Sequence, residues 1–119
     1  MKKLICFDLD GTLTQHRSKL ESEYRAVLDR LKEKYNIVIV GAGNAPRIYA
    51  QTCEYPIDVI GNYGMPEGKI VDGEFKIVRE DTVVPDKKFF IENVEYLRKK
   101  YGYTQYKGES VEFHPSGMV

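Results

Sequence analysis

The sequence has no excess of either charge. Eighteen lysines and arginines balance eighteen aspartates and glutamates over 119 residues. That balance argues against a broad polyanion-binding surface, and so against nucleic acid as a partner. The basic run Arg98-Lys99-Lys100 is more simply the cationic last turn of a helix. Cysteine is scarce, with Cys6 and Cys53 alone, and Cys6 sits in an apolar run where a free thiol behaves as a small hydrophobe. Long hydrophobic runs are missing too. The run at Leu4 is too short for a signal peptide, and nothing is long enough to span a bilayer. The expected setting is therefore the reducing cytoplasm, without a membrane partner and without a structural disulfide. Repeats and low-complexity tracts are absent, and the length suits one domain, or one domain plus part of another.

What is present alternates between strand and helix patterns. Leu4-Ile5-Cys6-Phe7 is a continuous apolar run of the kind buried on both faces of a parallel sheet. A loop from Asp8 to Arg17 follows. Leu20, Tyr24, Val27, Leu28, Leu31 and Tyr35 then recur at helical spacing, with Ser18 as the expected N-cap and Glu21 three residues on. Ile37-Val38-Ile39-Val40 is a second buried strand. Gly41-Ala42-Gly43-Asn44 turns out of it, and Pro46 suits the first turn of a short helix carrying Ile48 and Tyr49. Ile57 to Ile60 is a third strand. Strand, helix, strand, helix, strand implies a Rossmann-like parallel α/β sheet, with Leu4–Phe7 central and beside Ile37–Val40.

The pattern changes after residue 60. Asp72-Gly73 between two alternating segments predicts a hairpin. Val84-Pro85-Asp86 starts a new helix whose apolar stripe is Phe90, Val94, Leu97 and Tyr101, closed by Gly102. Tyr103 to Lys107 and Ser110 to Phe113 read as strands. Pro115-Ser116-Gly117 reads as a turn before a further strand at Met118-Val119. A boundary is expected near residue 80: residues 1–80 form the α/β core and 81–119 begin an α+β insert.

The chemistry concentrates in Phe7-Asp8-Leu9-Asp10-Gly11-Thr12-Leu13-Thr14. Two carboxylates lie just past the first buried strand, where ligands bind in open α/β sheets. With Leu9 turned inward, both carboxylates serve one site. Their mutual repulsion favours a bound cation, which would keep Asp8 ionised. An ionised aspartate can attack phosphorus. A second carboxyl group can protonate the leaving oxygen and then deprotonate water. The plain alternative, that the pair caps a turn, is disfavoured by the apolar strand before it and the Gly-Thr after it.

Asp8-Leu9-Asp10-Gly11-Thr12 resembles the first motif of the haloacid dehalogenase-like (HAD) superfamily. Asp10 to Arg17, Val38 to Asn44, Gly61 to Gly64 and Lys107 to His114 further resemble segments of the eukaryotic-type phosphomannomutase group within it. The resemblance implies a magnesium-dependent phosphotransfer enzyme. In it Asp8 is nucleophile and metal ligand, and Asp10 is general acid/base and a metal ligand through its backbone carbonyl. Thr12, Arg17, Gly43 and Asn44 would contact phosphate or substrate, and residues 81–119 would begin a cap domain. The second motif usually holds Ser or Thr where Gly43 stands, leaving backbone N–H groups or the Asn44 side chain as donors. Two cap arginines of the mutases fall at Lys107, which lacks the bidentate fork, and His114, which is mostly neutral at pH 7.

The leading expectation is a phosphatase acting on a small phosphorylated metabolite of the sugar-phosphate class through an aspartyl-phosphate. The rivals are a phosphomannomutase-like isomerase and a non-catalytic fragment. A receiver domain of the response-regulator type is disfavoured by the hairpin and insert after residue 60. The third-motif lysine and fourth-motif acidic cluster find no counterpart after residue 80. The chain is thus expected to be the N-terminal portion of such a protein, weakly active alone and prone to self-association through an open sheet edge.

Overall fold

The computed structural model describes residues 1–82, 84–114 and 117–118. The chain divides into two compact units, Met1–Asp81 and Thr82–Val119. In the first, β1 (Lys3–Asp8) leads through α1 (Ser22–Lys32) to β2 (Tyr35–Val40), and α2 (Ala45–Gln51) leads to β3 (Asp58–Ile60). A 3₁₀ turn at Asn62–Gly64 precedes the hairpin of β4 (Pro66–Val71) and β5 (Glu74–Glu80). The five strands form one sheet in sequence order. The pairs β1–β2 and β2–β3 are parallel, whereas β3–β4 and β4–β5 are antiparallel. The architecture is α/β and Rossmann-like in its first three strands, with a mixed rather than purely parallel sheet.

Burial explains the arrangement. Ile39 and Val59 are fully buried, and Ile37 and Ile57 nearly so. They share one core with Leu28 of α1, Ile48 of α2, Leu9 and Leu20, so both helices cover the same face of the sheet. Pairing of Ile5 with Ile37 and of Phe7 with Ile39 turns the half-buried side of β1 towards that core.

Three expectations are corrected here. The strand at Leu4–Phe7 does pair in parallel with Ile37–Val40, but it lies at the end of the sheet and not at its centre. Only one of its faces is covered, so Leu4 is 63% exposed and Cys6 is exposed as well. The first helix starts at Ser22 with Glu21 as the preceding residue, and Ser18 is not its cap. Ser18 belongs to the loop, where its N–H donates to the Gln15 carbonyl and its own carbonyl accepts from Gln51.

In the second unit, α3 (Lys87–Lys100) is capped by Asp86, whose Oδ1 accepts from the Phe89 N–H at 3.0 Å. It ends as the sequence implies: Arg98, Lys99 and Lys100 fill the last turn, and Gly102 takes φ +78°. The Tyr103 N–H reaches back to the Arg98 carbonyl at 2.8 Å, closing the helix. The expected strand at Tyr103–Lys107 does not form. Tyr103 and Tyr106 are exposed, and the Arg98 guanidinium lies 3.6 Å from the Tyr106 ring centre. That cation–aromatic contact holds the segment where no described neighbouring strand offers pairing. The expected Ser110–Phe113 strand shrinks to β6 (Phe113–His114), paired antiparallel with β7 (Gly117–Met118). The expected turn at Pro115-Ser116 and the strand residue Val119 lie outside the described residues.

The inner strand and the outer face of the end strand should differ sharply in tolerance. Ile39→Ala, at a fully buried site, is expected to cost about 2–5 kcal/mol, and Leu4→Ala within about 0.5 kcal/mol. Urea unfolding of both variants measures this, and equal losses would contradict the one-sided burial.

Candidate active site

Asp8 is the last residue of β1 and pairs with Val40, which pairs in turn with Ile60. The chain therefore leaves three neighbouring strands at one level, and the loops after β1 and β2 emerge side by side from parallel strands. Such carboxyl ends are where open α/β sheets bind ligands.

The loop after β1 is wound on one carbonyl. The Leu9 side chain is 3% exposed, in the core. Its carbonyl accepts from the N–H groups of Thr12, Leu13 and Thr14 and from the Thr14 hydroxyl. Gly11 sits inside this winding at φ +81°, a conformation that side chains disfavour. Inward anchoring of Leu9 leaves Asp8 exposed and Asp10 partly exposed.

Asp10 is the most heavily contacted carboxylate of the unit. Its Oδ1 accepts from the Gln51 side-chain amide at 2.7 Å and from the Arg17 backbone N–H at 2.8 Å. Its Oδ2 lies 3.7 Å from the Arg47 guanidinium. The Gln51 hydrogen bond foremost, then the Arg17 N–H and the charges of His16 and Arg47, hold the Asp10 carboxyl below its ordinary range against the opposing effect of partial burial. Gln51 also donates to the Ser18 carbonyl at 2.9 Å and to Thr14 Oγ1 at 3.3 Å. One side chain at the end of α2 thus ties down the loop after β1.

The loop after β2 is held from its other side. Asn44 caps α2, with its Oδ1 accepting from the Arg47 N–H at 2.8 Å. The Gly43 carbonyl accepts from the Asn62 N–H at 2.8 Å, and the Gly41 carbonyl from the Tyr63 N–H at 3.4 Å. Asn62 and Tyr63 take φ +41° and +56°, unusual values for residues with side chains. Gly61 makes the approach possible, because a β-carbon there would stand 2.6 Å from the Ala45 nitrogen and 2.7 Å from the Gly43 oxygen.

The residues singled out from the sequence fall in different places. Asp8, Asp10, Thr12, Arg17, Gly43 and Asn44 all belong to the first unit, Asp8 at the end of β1 and the others on the two loops just described. Thr12 is exposed and lines, with Gly11, Thr14, Gln15 and Lys19, a pocket of about 260 Å³. Arg17 meets Asp10 through its backbone, at φ +55°. The Asn44 side-chain oxygen is engaged in capping. Lys107 and His114 belong to the second unit: Lys107 is exposed in an irregular segment, and His114 is in β6 with its side chain outside the described part. Among the described residues, no group of three or more His, Cys, Asp or Glu is placed to hold a metal ion. No helix among them is long and apolar enough to cross a membrane.

Gln51 and Arg47 were not anticipated. Gln51 is 41 residues from Asp10 in sequence, and no local motif marks it. The available signal was spacing: residues 47 and 51 share one face of a helix that starts directly after the second strand's loop.

The chain matches a family described as haloacid dehalogenase-like hydrolase over residues 5–115. It is 29% identical over 69 residues to a phosphomannomutase of Encephalitozoon cuniculi (strain GB-M1), covering 58% of this chain and 27% of that protein. It is 37% identical over 54 residues to phosphomannomutase 1 of Mus musculus, covering 44% of this chain and 21% of that one. The solved structure of Plasmodium falciparum IMP-nucleotidase superposes with a TM-score of 0.67 at 17% identity, over 98% of this chain and 34% of that one. The last likeness is one of fold. The chain spans between about a fifth and a third of the length of these relatives.

The Gln51 contact makes a pH-dependent expectation. A carboxyl held below its ordinary value contributes stability above the ordinary carboxylate range and loses it as pH falls through the lower folded value. Gln51→Leu should therefore raise the Asp10 pKa towards the ordinary range and flatten the loss of stability in acid. Titration of the Asp10 carboxyl carbon by NMR checks it, and an unmoved midpoint would contradict it.

Proposed function

The chain belongs to the haloacid dehalogenase-like hydrolase family, and from that premise we propose that its protein is a magnesium-dependent phosphatase of a small phosphorylated metabolite, of the sugar-phosphate class, working through an aspartyl-phosphate. The observation that carries this reading is the placement of Asp8 and Asp10 on either side of the buried Leu9, at the carboxyl end of β1.

In this reading the exposed Asp8 carboxylate attacks phosphorus, and the bond from phosphorus to the leaving oxygen breaks. Asp10 protonates that oxygen, then takes a proton from the water that releases phosphate from Asp8. The contacts from Gln51 and Arg17 lower the Asp10 pKa and so favour the ionised form that its second task needs. For the first it must carry a proton, and the negative charge of an arriving phosphate pushes its pKa back up. Thr12 and the backbone N–H groups of Gly43 and Asn44 are the proposed phosphate donors, and Arg17, Lys107 and His114 the proposed substrate contacts.

The donors present fit magnesium. The Asp8 carboxylate and the Asp10 backbone carbonyl offer hard oxygen ligands, and magnesium is commonly held by one or two carboxylates with waters and phosphate oxygens completing its shell. Bound there, the ion would offset negative charge at the phosphoryl group.

A second reading, a phosphomannomutase-like isomerase, is favoured by the names of the two curated relatives. Dependence of turnover on a sugar bisphosphate would select it over hydrolysis. The isolated chain is expected to be weakly active without the family's third- and fourth-motif residues, and to self-associate because β1 pairs on one side only among the described strands.

Three outcomes test this. In the full-length protein, Asp8→Asn should abolish hydrolysis of an aryl phosphate with the fold intact, since an amide is a poor nucleophile. Asp10→Asn should slow it about 10²–10⁴-fold. Wild-type rates in the Asp8 variant would refute covalent catalysis. Sedimentation of the isolated chain should show species larger than a monomer, and a monodisperse monomer would contradict the open-edge expectation.

A further inference from the structure

We propose that Arg47 is a phosphoryl-gripping residue whose guanidinium uses the space left by Gly43, an inference that rests on the phosphate-binding reading of this site. A β-carbon built on Gly43 would stand 3.2 Å from Arg47 Cζ, 3.3 Å from Nε and 3.4 Å from Nη1. The guanidinium is therefore packed against the Gly43 backbone. Its Nη2 is 3.7 Å from Asp10 Oδ2, beyond hydrogen-bond reach, so the carboxylate orients the group without consuming its donors. The side chain is 48% exposed and open to an arriving ligand.

The charge arithmetic of the site calls for such a group. Asp8 and Asp10 place two negative charges where a phosphate ester brings more, and like charges at this range repel. Several other cations of the unit are engaged with the chain, while Arg17 and Lys19 share the loop after β1 with Asp10. Arg25 donates to the Thr52 and Cys53 carbonyls, Lys32 to the Pro56 carbonyl, and Arg79 to the Gly64 carbonyl while pairing with Glu67 and Asp81. Arg47 instead bridges the two loops that carry the proposed chemistry. Its planar fork matches two phosphate oxygens at once, which a lysine's point charge does not. Its backbone N–H is bonded to Asn44 Oδ1, which fixes the root of the side chain.

The test is a titration of the isotopically labelled 119-residue chain with inorganic phosphate, followed at each amide by NMR. Phosphate should perturb Gly43, Asn44 and Arg47. Arg47→Gln should raise Kd about tenfold or more, the scale of a lost charge-assisted hydrogen bond. Arg47→Lys should fall between the two. Gly43→Ala keeps the arginine but makes its guanidinium shift by a few tenths of an ångström, and it too should bind more weakly; this second variant serves if the first disturbs the fold. The proposal is overturned if Arg47→Gln binds phosphate like the parent, if perturbation is confined to other cations such as Arg98 to Lys100, or if the parent binds none. Aryl-phosphate hydrolysis by the full-length protein is measured separately. Its absence would count against the phosphatase reading and leave an Arg47-dependent phosphate site standing.

Discussion

The site depends on the side-chain amide of Gln51. One nitrogen with two hydrogens serves Asp10, Ser18 and Thr14, at 2.7, 2.9 and 3.3 Å. The third contact is the longest, as it must be when two hydrogens meet three acceptors. Through it, a helix that packs on the sheet fixes a loop that would otherwise hang from the end strand. The same bond lowers the Asp10 pKa, because a donor aimed at a carboxylate favours its ionised form. The position of Asp10 and the direction of its pKa shift thus share one cause, a residue that is not itself proposed to touch substrate.

Around that bond the architecture is a stack of close approaches. The Leu9 carbonyl gathers three N–H groups and a hydroxyl. The Gly43 carbonyl takes the Asn62 N–H, at a spot where only a glycine at position 61 lets the two backbones meet. The loops after β1, β2 and β3 are thus mutually braced, the first two through Arg47 and Gln51 of α2 and the last two through backbone. Positive φ values at Arg17, Asn62 and Tyr63 fall on these loops, while Cys53 and Glu54 after α2 and Asp72 in the hairpin take them elsewhere.

Much of this was legible in the sequence, for physical reasons particular to each element. The continuous apolar runs at residues 4–7 and 37–40 could pair in parallel only through a crossover, and Asp72-Gly73 could only be a tight turn, with Asp72 and Gly73 at φ +53° and +79°. The pair Asp8 and Asp10 was visible because both carboxylates sit in one short motif. Composition misled where it was silent about neighbours. Leu4 and Cys6 read as core, yet whether a strand is covered on both faces depends on what lies beside and above it. Tyr103 and Tyr106 have strand propensity, but propensity without a pairing partner yields to a local contact with Arg98. Gln51 and Arg47 stayed hidden because their partners come from another part of the chain, and long-range polar pairs leave no periodic trace.

The central claim is that Asp8 carries the phosphoryl group. Rapid acid quench of the full-length protein during turnover of a phosphate ester with magnesium, followed by mass spectrometry of the peptide containing Asp8, addresses it directly. One phosphoryl group is expected on Asp8, formed and lost at rates compatible with turnover. Turnover with the group on another side chain, or with no covalent intermediate on Asp8 at any quench time, would contradict it.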